Sequence, residues 1–341
     1  MSEPAPSETS ETSEPSCPPA GCSSTTPCIA RTALCGMAMG LADAVPGVSG
    51  GTVALILGIY TTLIDSLSAM LHGLRGIASR AGRAQLFAAL RFLLPLGIGA
   101  AVSLVTALRL LVGSKPEIAN LNDAQLLQAL ANAKGLLINP SSAPIVFAFF
   151  FGLVAASVNE PWRHKAGTKG IDWALAAAGA AVSAGLVLSP AAALGPHPVL
   201  VMMAGAIAIS VMLLPGISGS LALLVLGMYQ VIAAAVHDRD LVIVGCFLLG
   251  MGLGLMAFVP ILRRVLARAH DRTMSVLSGL MAGSLVALWP WKAHYLPDAI
   301  ARLGPMQPIT PSGLWWWCIV SAIIGAALIV VSSRFARARQ Q

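Results

Sequence analysis

The run Pro46–Tyr60, PGVSGGTVALILGIY, returns 169 residues later as Pro215–Tyr229, PGISGSLALLVLGMY, with 8 of 15 positions identical. Each copy sits inside a long apolar block, 33–65 in the first case and 198–236 in the second. A bilayer core about 30 Å thick takes about 20 helical residues, so each block is too long for one crossing and marginal for two. Proline turns the residue before it away from helix, and glycine frees the backbone for a sharp turn. Each block is therefore expected to divide at its Pro-Gly-x-Ser-Gly motif into two half-length helices, which reach only about mid-bilayer at 1.5 Å per residue. Either the block crosses once as a broken helix, or it returns to its own side as a re-entrant hairpin.

Further apolar blocks at 92–113, 141–159, 171–190, 241–261, 273–291 and 314–333 each approximate one span. Of the 341 residues, 57% are hydrophobic and 10% charged, with a mean hydropathy of +0.81; soluble domains carry about a quarter charged residues. The chain is thus read as one all-α polytopic membrane protein, and a soluble enzyme is excluded. The net charge of +7 does not mark a nucleic-acid partner, because the basic residues fall in short loops between spans. Those loops decide between the two topologies. With both broken blocks as hairpins, Lys and Arg divide 15 to 5 between the two sides, whereas single crossings give 10 to 10. Only hairpins give a positive-inside bias, so both termini are expected in the cytoplasm; the inner (plasma) membrane is the expected location.

The repeat extends beyond the motif: Phe92-Leu93-Leu94-x-x-Gly97-x-Gly99 matches Phe247-Leu248-Leu249-x-x-Gly252-x-Gly254, and Gly152-Leu153-x-x-x-Ser157 matches Gly279-Leu280-x-x-x-Ser284. Three spans between the hairpins require the second repeat to be inverted, the plan of secondary transporters with a midplane site where broken helices meet. The expected organisation is a disordered cytoplasmic tail 1–30, repeat 1 over 31–190, inverted repeat 2 over 191–334, and a basic cytoplasmic tail 335–341. Cys17, Cys22 and Cys28 lie in the first tail without histidines, so no metal set is formed there.

Two helices starting near Thr52 and Leu221 would point N–H groups and dipole ends at the tips. Gly50, Gly51 and Gly219 allow close backbone approach, and Ser49, Thr52, Ser218 and Ser220 add hydroxyl donors. Phosphate is the anion this suits best, although small residues also simply pack membrane helices. Asp43 precedes the first tip, and an acid in an apolar block is a functional candidate, here a proton carrier; its counterpart at the 169 offset is Met212. Glu160, at the end of a span, is the second coupling candidate. Asp65 should be solvated, Arg109 should snorkel outward, and Trp289, Trp291 and Trp315–Trp317 should mark one aromatic belt with Trp162 on the other.

The run Gly40-Leu41-Ala42-Asp43-Ala44-Val45-Pro46-Gly47-Val48-Ser49-Gly50-Gly51-Thr52, its echo at 215–229, and Gly283-Ser284-Leu285 with Trp289-Pro290-Trp291 resemble the PopT polyprenyl-phosphate transporter family of bacteria and archaea. The resemblance runs from about Arg31 to Arg334 and implies a lipid transporter that returns undecaprenyl phosphate from the outer to the inner leaflet for cell-wall synthesis. It implies polyprenyl phosphate and membrane lipids as partners, with protons or another ion as a driving species; no cofactor is expected, and a homo-oligomer is left open. An alternative is a membrane polyprenyl pyrophosphate phosphatase, whose motif reads Pro-Gly-x-Ser-Arg-Ser. Gly50 and Gly219 stand in place of that Arg and no Glu-x-x-x-Glu stretch is present, so the hydrolytic groups are missing and a non-enzyme is expected. A small-anion channel using the same helix ends is the other alternative.

Overall fold

Each long block breaks at its Pro-Gly-x-Ser-Gly motif as expected, and then a second time. In the computed structural model, which describes residues 25–45, 47–112, 135–137, 139–164, 170–190, 192, 195–293, 295, 307–311 and 313–338, the first block forms α1 (Thr25–Asp43), α2 (Gly50–Ile56) and α3 (Tyr60–Arg75). The second forms α7 (Pro198–Met212), α8 (Gly219–Val225) and α9 (Tyr229–His237). Between them lie α4 (Arg80–Ala107), continued by a π-turn over Leu108–Val112, then α5 (Ala143–Ser157) and α6 (Gly170–Leu188). The chain closes with α10 (Leu241–Arg268), α11 (His270–Ser284) and α12 (Trp315–Ala338). Helix α1 starts a little before the boundary drawn at residue 30, and most of the tails and of the 114–140 loop lie outside the described residues.

The second break has a local cause in both blocks. Gly58 and Gly227 have φ of +70° and +69°, the left-handed backbone that closes a helix at its C′ position. The N–H of Ile59 reaches back to Ala54 O at 2.9 Å and that of Gly58 to Leu55 O at 3.0 Å; Met228 to Leu223 O at 2.9 Å and Gly227 to Leu224 O at 3.0 Å repeat the pair. These are the two bonds of a Schellman cap. They stop α2 and α8 after 7 residues each and turn the chain by 118° and 105° into α3 and α9. The second arm of each block is consequently a two-turn helix plus a bent continuation, rather than one half-length helix.

Among the described residues, three helices are long and apolar enough to cross a membrane alone: Arg80–Leu111, Gly170–Leu188 and Leu241–Arg268. Others are shorter than their apolar blocks. The block 273–291 is helical only to Ser284, after which Leu285 caps the helix and the chain runs into a clasp where Lys292 bridges Pro308. Trp289 Nε1 and Trp291 Nε1 donate to Ile309 O at 3.0 Å and Gly313 O at 3.4 Å within this clasp. Trp291 is buried, so it belongs to the core rather than to an aromatic belt, while Trp315–Trp317 are exposed.

Four helix pairs carry most of the packing: α1 with α4, α7 with α10, α5 with α12, and α6 with α11. The first two pairs are formed by matching members of the sequence repeat. Gly36, Gly40 and Gly99 bring α1 against α4, and Gly205, Gly250 and Gly254 bring α7 against α10, each glycine facing a backbone carbonyl of the opposite helix. Without side chains at these points the backbones approach closely, and van der Waals contact takes over where burial of apolar area gives nothing in lipid. Gly97 and Gly252, matched to each other but two residues earlier, face open space. Gly99→Ala should therefore destabilise by about 1 to 3 kcal/mol through overpacking. Gly97→Ala should be neutral or slightly stabilising, since Ala outranks Gly in a helix interior by up to about 1 kcal/mol. Thermal melts in detergent that rank these two variants in the opposite order would refute the packing assignment.

Candidate functional site at the two tips

The two motifs meet in the interior. Gly216 N–H donates to Thr52 Oγ1 at 2.8 Å, a fully buried bond between residues 164 positions apart. Tyr60 Oη donates to Leu213 O at 3.0 Å, and Ser49 Oγ lies 3.5 Å from Met212 O. A Cβ on Gly51 would stand 3.2 Å from that same Met212 carbonyl, so the small residues of one tip are what admit the other. Ser49, Thr52 and Ser218 are buried. An unmade hydrogen bond at such depth costs about 1 to 3 kcal/mol, so polar groups there are retained only if they serve each other or a ligand.

Helix α11 and the turn after it run past both tips. Gly216, with φ +89°, packs against the Leu280–Met281 backbone, and Gly47, with φ +96°, packs against Ala287. Ser183 Oγ of α6 donates to Gly216 O at 3.3 Å, so the Gly216 peptide is held on both sides.

The two tips differ in how their helix starts are satisfied. At the first, Gly50 N–H donates to Asp43 Oδ1 at 2.6 Å and Gly51 N–H to Ser49 Oγ at 3.2 Å, while Thr52 and Val53 N–H go to Ser49 O at 2.9 and 3.3 Å. The first turn of α2 is fully engaged, with the Asp43 carboxylate occupying the place of an anion. At the second, Ser218 caps α8 in backbone geometry only, and its Oγ pairs with Ser220 Oγ at 2.7 Å. Among the described residues, the N–H groups of Gly219, Ser220 and Leu221 have no acceptor. Met212 in place of an Asp is the reason: the second tip has no carboxylate of its own. Two-turn helices also develop little macrodipole, so the directional N–H and hydroxyl donors of Ser218, Gly219 and Ser220 matter more than a half-charge at each helix end.

The sequence reading named Ser49, Gly50, Gly51, Thr52, Ser218, Gly219 and Ser220 together, and they do lie at the two tips. It named Asp43 as a carrier, and Asp43 lies on the first tip. Glu160 sits on the turn after α5, beside Val158 and Trp162, which are tied to Ser278 of α11; none of the tip bonds above involves it. Asp65 is exposed at α3 and pairs with Arg263 of α10 at 2.9 Å. Tyr60 and the carbonyls of Met212 and Leu213 escaped the sequence reading, although the Gly-x-Tyr ending shared by both motifs carried the signal.

These features define a class: a helical, multi-pass membrane protein in which two twice-broken segments meet through serine- and glycine-rich tips. The chain belongs to the undecaprenyl phosphate translocase-like family, whose model matches residues 39–120 and 127–299 and so includes both tips and α11. It is 38% identical over 263 residues to a polyprenyl-phosphate transporter of Vibrio cholerae, covering 76% of this chain and 78% of that protein. It is 32% identical over 276 residues to a polyprenyl-phosphate transporter of Staphylococcus aureus, covering 75% of this chain and 84% of that one. No solved structure matches the chain. The family resemblance drawn from the motif residues is thereby borne out.

Proposed function

We propose that the protein carries undecaprenyl phosphate across the inner membrane, from the outer to the inner leaflet, by holding its phosphate between two facing re-entrant hairpins while the polyprenyl tails stay in lipid. The hairpins belong to two inverted repeats, 31–190 and 191–334, with both termini cytoplasmic. The observation that carries this reading is the buried Gly216–Thr52 bond, which joins two donor-rich tips inside an otherwise apolar protein. A phosphate monoester cannot cross hydrocarbon alone, because an isolated buried charge costs many kcal/mol; donors at mid-depth lower that barrier. The names of both relatives support the lipid substrate. The tips offer donors without a nucleophile or acid paired for attack, which favours binding and release over hydrolysis. Asp43 is the coupling residue in this scheme, with Glu160 as the second candidate.

Liposomes containing the purified protein and labelled undecaprenyl phosphate test the proposal. Leaflet exchange without release of inorganic phosphate is expected. Phosphate release would make the protein a phosphatase, and passage of small anions without lipid exchange would make it a channel. For the topology, a cysteine placed at Ser79 in a cysteine-free background should resist an impermeant external reagent, while one at Gln307 should react. The reverse pattern would remove the inverted arrangement.

The unequal tips predict unequal mutants. Ser218→Ala should weaken phosphate-lipid binding by about 1.5 to 3 kcal/mol, the worth of a hydrogen bond to a charged group, with little change in melting temperature. Ser49→Ala removes a helix cap worth about 0.5 to 2 kcal/mol and should lower stability as well. Wild-type binding by a folded Ser218→Ala variant would reject the second tip as a phosphate site.

A further inference from the structure

Lys292 is the one basic residue buried among the described residues, only 4% exposed, and no carboxylate pairs with it there. Its backbone is fixed in the clasp after α11, where Ala293 N–H donates to Gln307 O at 3.0 Å and Ile309 N–H to Trp291 O at 2.9 Å. Its Nζ donates to Ala287 O at 2.6 Å and lies 3.4 Å from the centre of the Phe147 ring. Both contacts lead to the first tip. The Ala287 oxygen that Nζ touches lies 3.4 Å from where a Cβ on Gly47 would stand, and Phe147 belongs to the same apolar cluster as Val45 and Val48.

A carbonyl and a ring face are only partial partners for an ammonium ion, and burial holds the Lys292 amine well below the usual lysine range, so an anion beside it is what would keep it charged. Burying an ammonium ion without a counter-ion is costly, and proteins retain such an ion when an opposite charge completes it. The tip it backs already holds one carboxylate, Asp43, which spends an oxygen on Gly50 N–H and forms no ion pair with Lys292. A phosphate brought to that tip would meet a like charge unless a cation stood nearby.

Resting on the transport reading above, we propose that Lys292 is the cationic group of the phosphate site, completed by the anionic head group of a prenyl phosphate held between the tips. It acts through space from behind the tip, its Nζ anchored on Ala287 O, so it sets affinity for charge rather than for the lipid tail. Phe147 shields it from lipid and holds it with the ring face.

The test compares binding of farnesyl phosphate and of uncharged farnesol by purified wild type, K292M, K292Q and K292R. An apolar side chain of similar length removes the cost of burying an ammonium ion without a counter-ion, so K292M should fold, and K292Q supplies a second uncharged side chain. Farnesyl phosphate affinity should fall at least tenfold in K292M and K292Q, farnesol binding should stay within about twofold, and K292R should recover most of the phosphate affinity. Wild-type farnesyl phosphate affinity in either folded neutral variant would overturn the assignment. An equal loss for both ligands would also overturn it, since that is the mark of a packing role. If the wild type itself binds farnesyl phosphate no better than farnesol, the transport reading fails, and this result is distinct from an unchanged K292M.

Discussion

Gly216→Ala should destabilise the protein by about 2 to 5 kcal/mol, while Gly58→Ala should cost no more than about 1 to 2 kcal/mol. Both glycines have positive φ, +89° and +70°, and an L-residue pays for a left-handed backbone in either place. The difference is space. A Cβ on Gly58 meets nothing within 4 Å, whereas one on Gly216 runs into the backbone of Leu280 and Met281, which cannot yield as a flexible side chain does. Any shift of Gly216 also lengthens the 2.8 Å bond from its N–H to Thr52 Oγ1, and with it the contact between the tips. Lipid exchange in Gly216→Ala should fall further than stability alone explains. Equal melting temperatures for the two variants would show that α11 does not confine the second tip.

On the coupling role proposed for Asp43, Asp43→Asn should abolish transport driven by a proton gradient and leave downhill exchange nearly intact. Asparagine keeps an oxygen for the Gly50 N–H, which Asp43 now engages at 2.6 Å, so the shape of the first tip survives. It carries no titrating proton, so coupling does not. Asp43→Ala removes the acceptor too and leaves the Gly50 N–H unserved, a loss of about 1 to 3 kcal/mol that should appear as a lower melting temperature. The two variants thus separate the carboxylate's structural part from its charge. Gradient-driven accumulation that persists in Asp43→Asn would move coupling to Glu160, to another ion, or to no ion.

Much of this was legible from spacing. Helix forms wherever an apolar run has no breaker, because backbone N–H and C=O groups in lipid must be satisfied within the segment; the block at 171–190 became α6 with small changes at its ends, while those at 92–113 and 241–261 became α4 and α10, which start well before the one block, at Arg80, and run past the other, to Arg268. The first break of each long block was legible because Pro-Gly-x-Ser-Gly contains residues that cannot continue a helix. The second was missed because Leu-Gly-x-Tyr reads as apolar and helical by composition; a single glycine at C′ ends a helix only if the carbonyls of the turn before it fold back to it, as those of Leu55 and Leu224 do. The block 273–291 was overread for a similar reason, since hydropathy does not distinguish a span from a buried clasp.

The identity of the tip residues was in the sequence, and so was the asymmetry of Asp43 against Met212. Composition, repeat and motif determined an all-helical membrane chain of a known family with a small, donor-rich pair of tips. Only the tertiary structure decided that Thr52 accepts from Gly216, that Asp43 already occupies the first helix start while the second is open, and that Lys292 stands behind Gly47. The first and last depend on residues more than a hundred positions apart, and the second on how a turn of seven residues folds the Asp43 carboxylate back onto Gly50 N–H. A sequence records which donors, charges and glycines exist; hydrogen bonds and charge pairing depend on distances of a few ångströms, which are fixed only when the glycine-lined helix pairs lock together.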